Sequence, residues 1–148
     1  YKRQINEGGF AKPFIKPVLS TKFHIDFDWW KENDSSWRLS LMGYLCDKHK
    51  KFFESSNDNQ LVDSVNSETG EIIQVDQLQD ILINHCARND DFISGNGPLT
   101  DSVFRIFLSN GNTPLDSEEI SKLINRPAET ILKTLSGPRV YKGIRPIL

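Results

Sequence analysis

The sequence predicts an α+β fold, mostly helical with one β-hairpin, on three observations. Apolar residues recur at helical spacing through residues 76–88 and 100–135. LVDSV and EIIQV, two short apolar-rich runs, flank the turn sequence NSETG. TKFHIDFDWW, residues 21–30, alternates with period two. With 148 residues, 37% of them hydrophobic and 26% charged, the chain is a globular domain of ordinary size. It is long enough to bury a core without metal or disulfide support.

The elements follow in order. Residues 1–20, with Gly8-Gly9, Pro13 and Pro17, read as an extended arm. In the strand 21–30, Phe23, Ile25, Phe27 and Trp29 share the inner face. His24, Asp26, Asp28 and Trp30 share the outer one, which makes Trp30 a candidate interface residue. KENDSS is a polar break, after which Asp34 or Ser35 caps one helix to about Phe53. Its stripe is Trp37, Leu41, Tyr44, Leu45 and Phe52. Gly70 supplies the positive φ of the hairpin turn. Asp76 with Gln79 has the capping-box pattern for a helix to about Arg88, with Leu78, Ile81, Leu82 and His85 inward. Residues 89–98 are a loop anchored by Phe92-Ile93. The expected organisation is an arm (1–20), an N-terminal α+β part (21–93) and a C-terminal module (99–148).

In that module, Thr100 caps a helix with Val103, Phe104, Phe107 and Leu108 inward, stopped by Asn110-Gly111-Asn112. Asp116 and Glu119 form a capping box before Ile120, Leu123 and Ile124. Asn125-Arg126-Pro127 is a tight turn into a helix with Ile131, Leu132 and Leu135 inward, ending at Gly137. Residues 139–145 give a last strand.

SEEISKLINRPAETILKTLSG, residues 117–137, resembles the central helix pair of winged helix-turn-helix domains. The resemblance covers residues 100–148 and implies a winged-helix-like module with a recognition helix from Pro127 to Leu135. It implies that Thr130, Lys133 and Thr134, beside Glu129, face DNA or RNA. Arg126 then sits near a phosphate, and Lys142 and Arg145 contact the backbone from the wing. The family's wing is a two-stranded hairpin, whereas this chain offers one strand. Either the wing is truncated or a strand of the N-terminal part completes it. The module's core is expected at Phe104, Phe107, Ile120, Leu123, Ile131 and Leu135, and an exposed Leu123 would sink the winged-helix reading.

Charge is segregated beneath a net of −2. Residues 1–53 carry ten basic and six acidic side chains, residues 54–91 one and nine, and residues 92–148 seven and five. An acidic middle and a basic end are two surfaces with different preferences, or a mixed solvated surface. Two cysteines are too few for a secreted disulfide scaffold, so reduced thiols and a cytoplasmic location are expected. Tyr1 in place of Met leaves room for residues upstream. No apolar run approaches a membrane span.

Cys46 and His49 are three residues apart, and His85-Cys86 follows about forty residues on. With His24 they are the candidate ligands of a structural zinc ion. Neighbours on a helix diverge by about 100°, so His85 and Cys86 would not easily share one ion. The same residues also fit core packing, and Cys46 with Cys86 fits a disulfide. These readings stay open in the sequence. Enzyme motifs of the phosphate-loop, dinucleotide, nucleophile-elbow and zinc-protease types are missing. Asp26 and Asp28 beside His24 read as an exposed strand face rather than an acid–base pair. The expectation is a non-catalytic protein acting on nucleic acid through the module. The alternative is an adaptor or small structural subunit of a larger assembly that meets protein partners through the winged helix and the N-terminal arm, with Trp30 and the acidic hairpin at Glu68 and Glu71 as the places to look for the partner.

Overall fold

A computed structural model describes residues 16–54, 61–65, 69–93 and 97–148. Most of the expected arm, Glu68, and Gly95-Asn96 lie outside the described residues. The architecture is α+β and mostly helical, with two small antiparallel sheets. No helix among the described residues is long and apolar enough to cross a membrane.

Strand β1 is short, Phe23–Ile25, and pairs antiparallel with β4, Ile144–Pro146. On its other side Phe23 exchanges backbone hydrogen bonds with Leu115 at 2.8 and 3.1 Å. The Asn112 carboxamide continues that edge by accepting from Ile25 N and donating to Ile25 O, both at 2.8 Å. The C-terminal strand is therefore completed from the N-terminal part, the second of the two arrangements expected for the wing.

Asp26 ends the strand. Its side chain accepts from Trp29 N at 3.0 Å and caps α1, Phe27–Asn33. The expected strand 21–30 is thus corrected after Ile25, where the period changes from 2 to 3.6. Phe27 and Trp30, three apart, now share the inner face. Trp30 is 1% exposed, against expectation, and Trp29 is only half-buried. The Trp30 indole N–H donates to Asp34 Oδ2, and its rings pack edge-on against Trp37 and Phe104. Gly143 adjoins this tryptophan with φ +77°, and a Cβ there would lie 2.9 Å from Trp30 Cβ. Both the backbone and the space require glycine.

The single helix expected to reach Phe53 is two, α2 (Trp37–Met42) and α3 (Asp47–Glu54). Tyr44 N and Leu45 N bond three residues back, to Leu41 and Met42 carbonyls, and this tightening closes α2. The break resets the phase of the apolar stripe, so Phe53 is buried and Phe52 is half-exposed.

Strands β2 (Leu61–Val65) and β3 (Ile72–Asp76) form the expected hairpin, in register Val62↔Val75 and Ser64↔Ile73. Helix α4 follows directly, Gln77–Asn84. Asp76 caps it by accepting from Leu78 N at 2.9 Å, and also accepts from Arg38 Nη1 at 2.5 Å, which ties α2 to α4. The expected capping box is half made, because Gln79 Oε1 is buried with no partner among the described residues. The inward stripe of α4 runs Leu78, Leu82 and on to Cys86. His85 is exposed, because the helix ends before it and Cys86–Arg88 forms a 3-10 turn. Phe92 anchors the following loop, while Ile93 faces out.

Helix α5, Leu99–Ser109, begins one residue before the expected cap Thr100, after Pro98. Helix α6, Ser117–Ile124, carries the complete capping box of Asp116 and Glu119. Asn125, at φ 55°, turns the chain into α7, Ala128–Leu135. Phe104, Phe107, Ile120, Ile131 and Leu135 are buried as expected, but Leu123 is 60% exposed. Ser117, Ile120 and Ile124 form the inner face of α6, and Leu123 lies about 100° round from Ile124. By the criterion stated for it, the exposed Leu123 sinks the winged-helix reading. The buried apolar residues of all helices and of β1 and β4 form one core cluster.

Truncation should separate the two faces of α6. Ile120→Ala, which empties a fully buried site, is expected to cost about 2–5 kcal/mol. Leu123→Ala is expected to cost under about 0.5 kcal/mol, as at an ordinary exposed position. Urea unfolding of both variants checks this, and equal losses would contradict the packing described.

Candidate metal centre

Cys46 precedes α3, and its carbonyl accepts from Lys50 N at 2.8 Å, so the thiol stands at the helix start and His49 in the first turn. The break between α2 and α3 creates this position. Cys86 opens the 3-10 turn after α4 and faces inward. Cys46 Sγ lies 3.0 Å from His49 Nδ1, and Cys86 Sγ lies 3.4 Å from Cys46 Sγ and 3.5 Å from His49 Nδ1. Zinc bonds to sulfur and nitrogen imply, in a tetrahedron, S···S near about 3.8 Å and S···N near about 3.6 Å. The three edges depart from these by less than about 0.6 Å. The residues therefore fit one face of a tetrahedral site, and the three lie close enough to bind a metal.

The local electrostatics suit ligation. The backbone N–H of His49 holds the Cys46 thiol below its usual range. Burial pushes the Cys86 thiol up to about 11. Burial, followed by the charges of His85 and Lys48, lowers His49 and so favours its neutral imidazole. Both cysteines are free thiols. Cys86 also belongs to the core and Cys46 packs against it, so the packing reading holds for both sulfurs.

Neither of the other two expected ligands lies within the compact group that the three form. His24 sits on β1 opposite Arg145. His85 is exposed, with its ring centroid 5.6 Å from that of His49.

The residues expected to meet nucleic acid are dispersed. Thr130, Lys133 and Thr134 are exposed on α7, and the Thr134 hydroxyl donates to Thr130 O. Arg126 Nη2 donates to Gly97 O at 3.1 Å. Lys142 Nζ donates to Tyr44 Oη at 2.6 Å and lies over the Tyr44 ring. Arg145 pairs with Asp26 at 3.1 Å and lies over the Trp29 ring. Lys142 and Arg145 thus both have partners within the molecule. Asp26 serves as cap and ion-pair partner, while Asp28 lies in the first turn of α1.

Sequence reasoning missed the cluster around Tyr44. Its hydroxyl donates to Asp101 Oδ1 at 2.6 Å, and Arg105 Nε donates to Asp101 Oδ2 at 2.9 Å. Burial pushes Asp101 up, but the bonds from Tyr44 and Arg105 outweigh it and hold the carboxyl low. Burial, then Asp101, raises the Tyr44 phenol. Only the Asp101–Arg105 spacing of four was legible. Tyr44, Asp101 and Lys142 are too far apart in the chain for any local pattern.

Compared with known proteins, the chain matches no family model, no curated protein and no solved structure.

Zinc titration should show one ion per chain and a raised melting temperature, because an ion bound only by the folded state stabilises it. Cys46→Ser should abolish both effects. Affinity should fall between pH 8 and pH 6, since both thiols must lose protons to bind. The raised Cys86 keeps its proton throughout that range in the metal-free protein, so the metal must displace it. Calorimetry at the two pH values measures this, and pH-independent affinity would speak against thiolate ligation.

Proposed function

We propose that this chain is a non-catalytic adaptor or small subunit, stapled by a structural zinc ion and used for protein contacts. The observation that carries the reading is an inversion of the expected surface. Two cations assigned to a nucleic-acid face, Lys142 and Arg145, are spent on Tyr44 and Asp26. Apolar side chains meanwhile face outward on the hairpin. Leu61, Val65 and Ile72 lie on one face of β2–β3 and are 61%, 63% and 64% exposed. Three exposed apolar side chains flanking the Asp63–Gln74 pair, on a ribbon with no third strand among the described residues, suit a partner chain. The surrounding segment carries nine acids against one base, which disfavours phosphate.

The winged-helix layout supports the same reading as a scaffold. Helix α5, the Leu115 bridge, α6, the left-handed Asn125 turn, α7 and β4 follow that order, with β1 between Leu115 and β4. The exposed Leu123 fails the test set for a winged helix, and only the order of elements supports that layout. A winged helix serves protein contacts as readily as nucleic acid. The second reading, nucleic-acid binding, is favoured by exposed Thr130 and Lys133 on α7.

Fluorescence anisotropy with a duplex at low salt and micromolar protein should show no saturable binding. Saturable binding with a steep salt slope, reduced in Lys133→Ala, would establish the second reading instead. In the source cell, Val65→Lys with Ile72→Glu, an opposite-charge pair across the strands, should release a co-purifying protein that the unaltered chain retains. The melting temperature should be nearly unchanged, because both positions are exposed.

A further inference from the structure

We propose that His85 is the fourth ligand, which makes the centre a closed Cys2His2 site. The inference rests on the metal reading of Cys46, His49 and Cys86 and extends it by one residue. The ring centroids of His49 and His85 are 5.6 Å apart. Two imidazoles on one tetrahedral ion have ring centres about 5.2 Å apart, given metal–nitrogen bonds near 2.05 Å. The rings already stand at nearly the spacing of a shared ion.

The backbone removes the objection that neighbouring residues diverge. On a continuous helix His85 and Cys86 would point about 100° apart. Here the helix stops between them. His85 has φ −126° and ψ −64°, outside helical geometry, and Cys86 begins a separate 3-10 turn. The His85 backbone is held, because its N–H donates to Ile81 O at 2.9 Å. Its side chain is exposed, so the ring can turn about χ1 and χ2 without displacing core atoms. Cys86 then approaches the ion from the core side and His85 from the solvent side.

The rival donor is a carboxylate or water. A cleft of about 220 Å³ opens beside both sulfurs, bordered by Asn89, Asp91 and Arg105. Arg105 there bonds to Asp101 and to Phe92 O. A zinc ion held by two thiolates and two imidazoles is neutral, and beside that guanidinium it needs no further anion.

The full chain loaded with zinc, examined by X-ray absorption, should show two sulfur and two imidazole neighbours. His85→Ala should show two sulfurs, one imidazole and one oxygen, with zinc affinity lowered at least about tenfold. His85→Cys should recover the affinity and show three sulfurs. A single imidazole in the unaltered protein, or His85→Ala binding zinc as tightly as the parent, would overturn the assignment of His85 while leaving the three-residue centre intact. A loss of one oxygen neighbour in Asp91→Ala would assign the fourth position to Asp91 instead. Failure of the unaltered chain to bind zinc or cobalt would overturn the centre itself, and His85 with it.

Discussion

Three residues, Phe23, His24 and Ile25, hold the two halves of the chain together. Their strand lies between β4 on one edge and Leu115 with the Asn112 carboxamide on the other. Phe23 and Ile25 are buried, so their backbone N–H and C=O groups must find partners inside the protein. Every such partner comes from residues beyond 110. The N-terminal segment therefore cannot leave the C-terminal helices without stranding buried polar groups on both. This constraint explains the single core, to which both parts contribute.

Asp26 converts that pairing into a direction for the chain. Its N–H donates to Gly143 O at 2.7 Å, its carboxylate caps α1, and the same carboxylate holds Arg145. The cap swings Trp30 into the core, against Phe104 of α5 and directly over Gly143. One carboxylate thus sets where the strand stops, which tryptophan is buried and where a C-terminal cation points. The ion pair lies at the surface, with the Arg145 side chain 39% exposed.

The cluster of Cys46, His49 and Cys86 answers a different need. Helix α3 is eight residues long, and Phe53 is its one buried apolar side chain among the described residues. So short a helix is marginal without tertiary support. Cys46 and His49 at its start, closed by Cys86 beyond α4, would tie it to the core by coordination where hydrophobic packing is thin. The Tyr44–Asp101–Arg105 cluster lies beside this join, and Tyr44 belongs to the same break between α2 and α3 that releases Cys46 from a helix.

Local chemistry in the sequence determined the hairpin, the α6 capping box, the left-handed exit at Asn125 and most of the buried face of α5 to α7. Each depends on residues within a few positions of one another, where spacing alone carries the signal. The grouping of Cys46 and His49 was legible for the same reason. Tertiary structure decided the rest. The alternation of 21–30 is equally good strand and helix start until Asp26 finds Trp29 N, and Leu41 to Leu45 continues a helix until Tyr44 is drawn to Asp101. Leu123 and Ile124 are equivalent in hydrophobicity, and only the position of α5 selects which is buried. His85 and Cys86 are equally good ligands on paper, and the end of α4 sends one to the core and the other to solvent. Lys142 and Arg145 read as free cations because the groups that hold them, Tyr44 and Asp26, lie about a hundred residues away, a separation no periodicity spans.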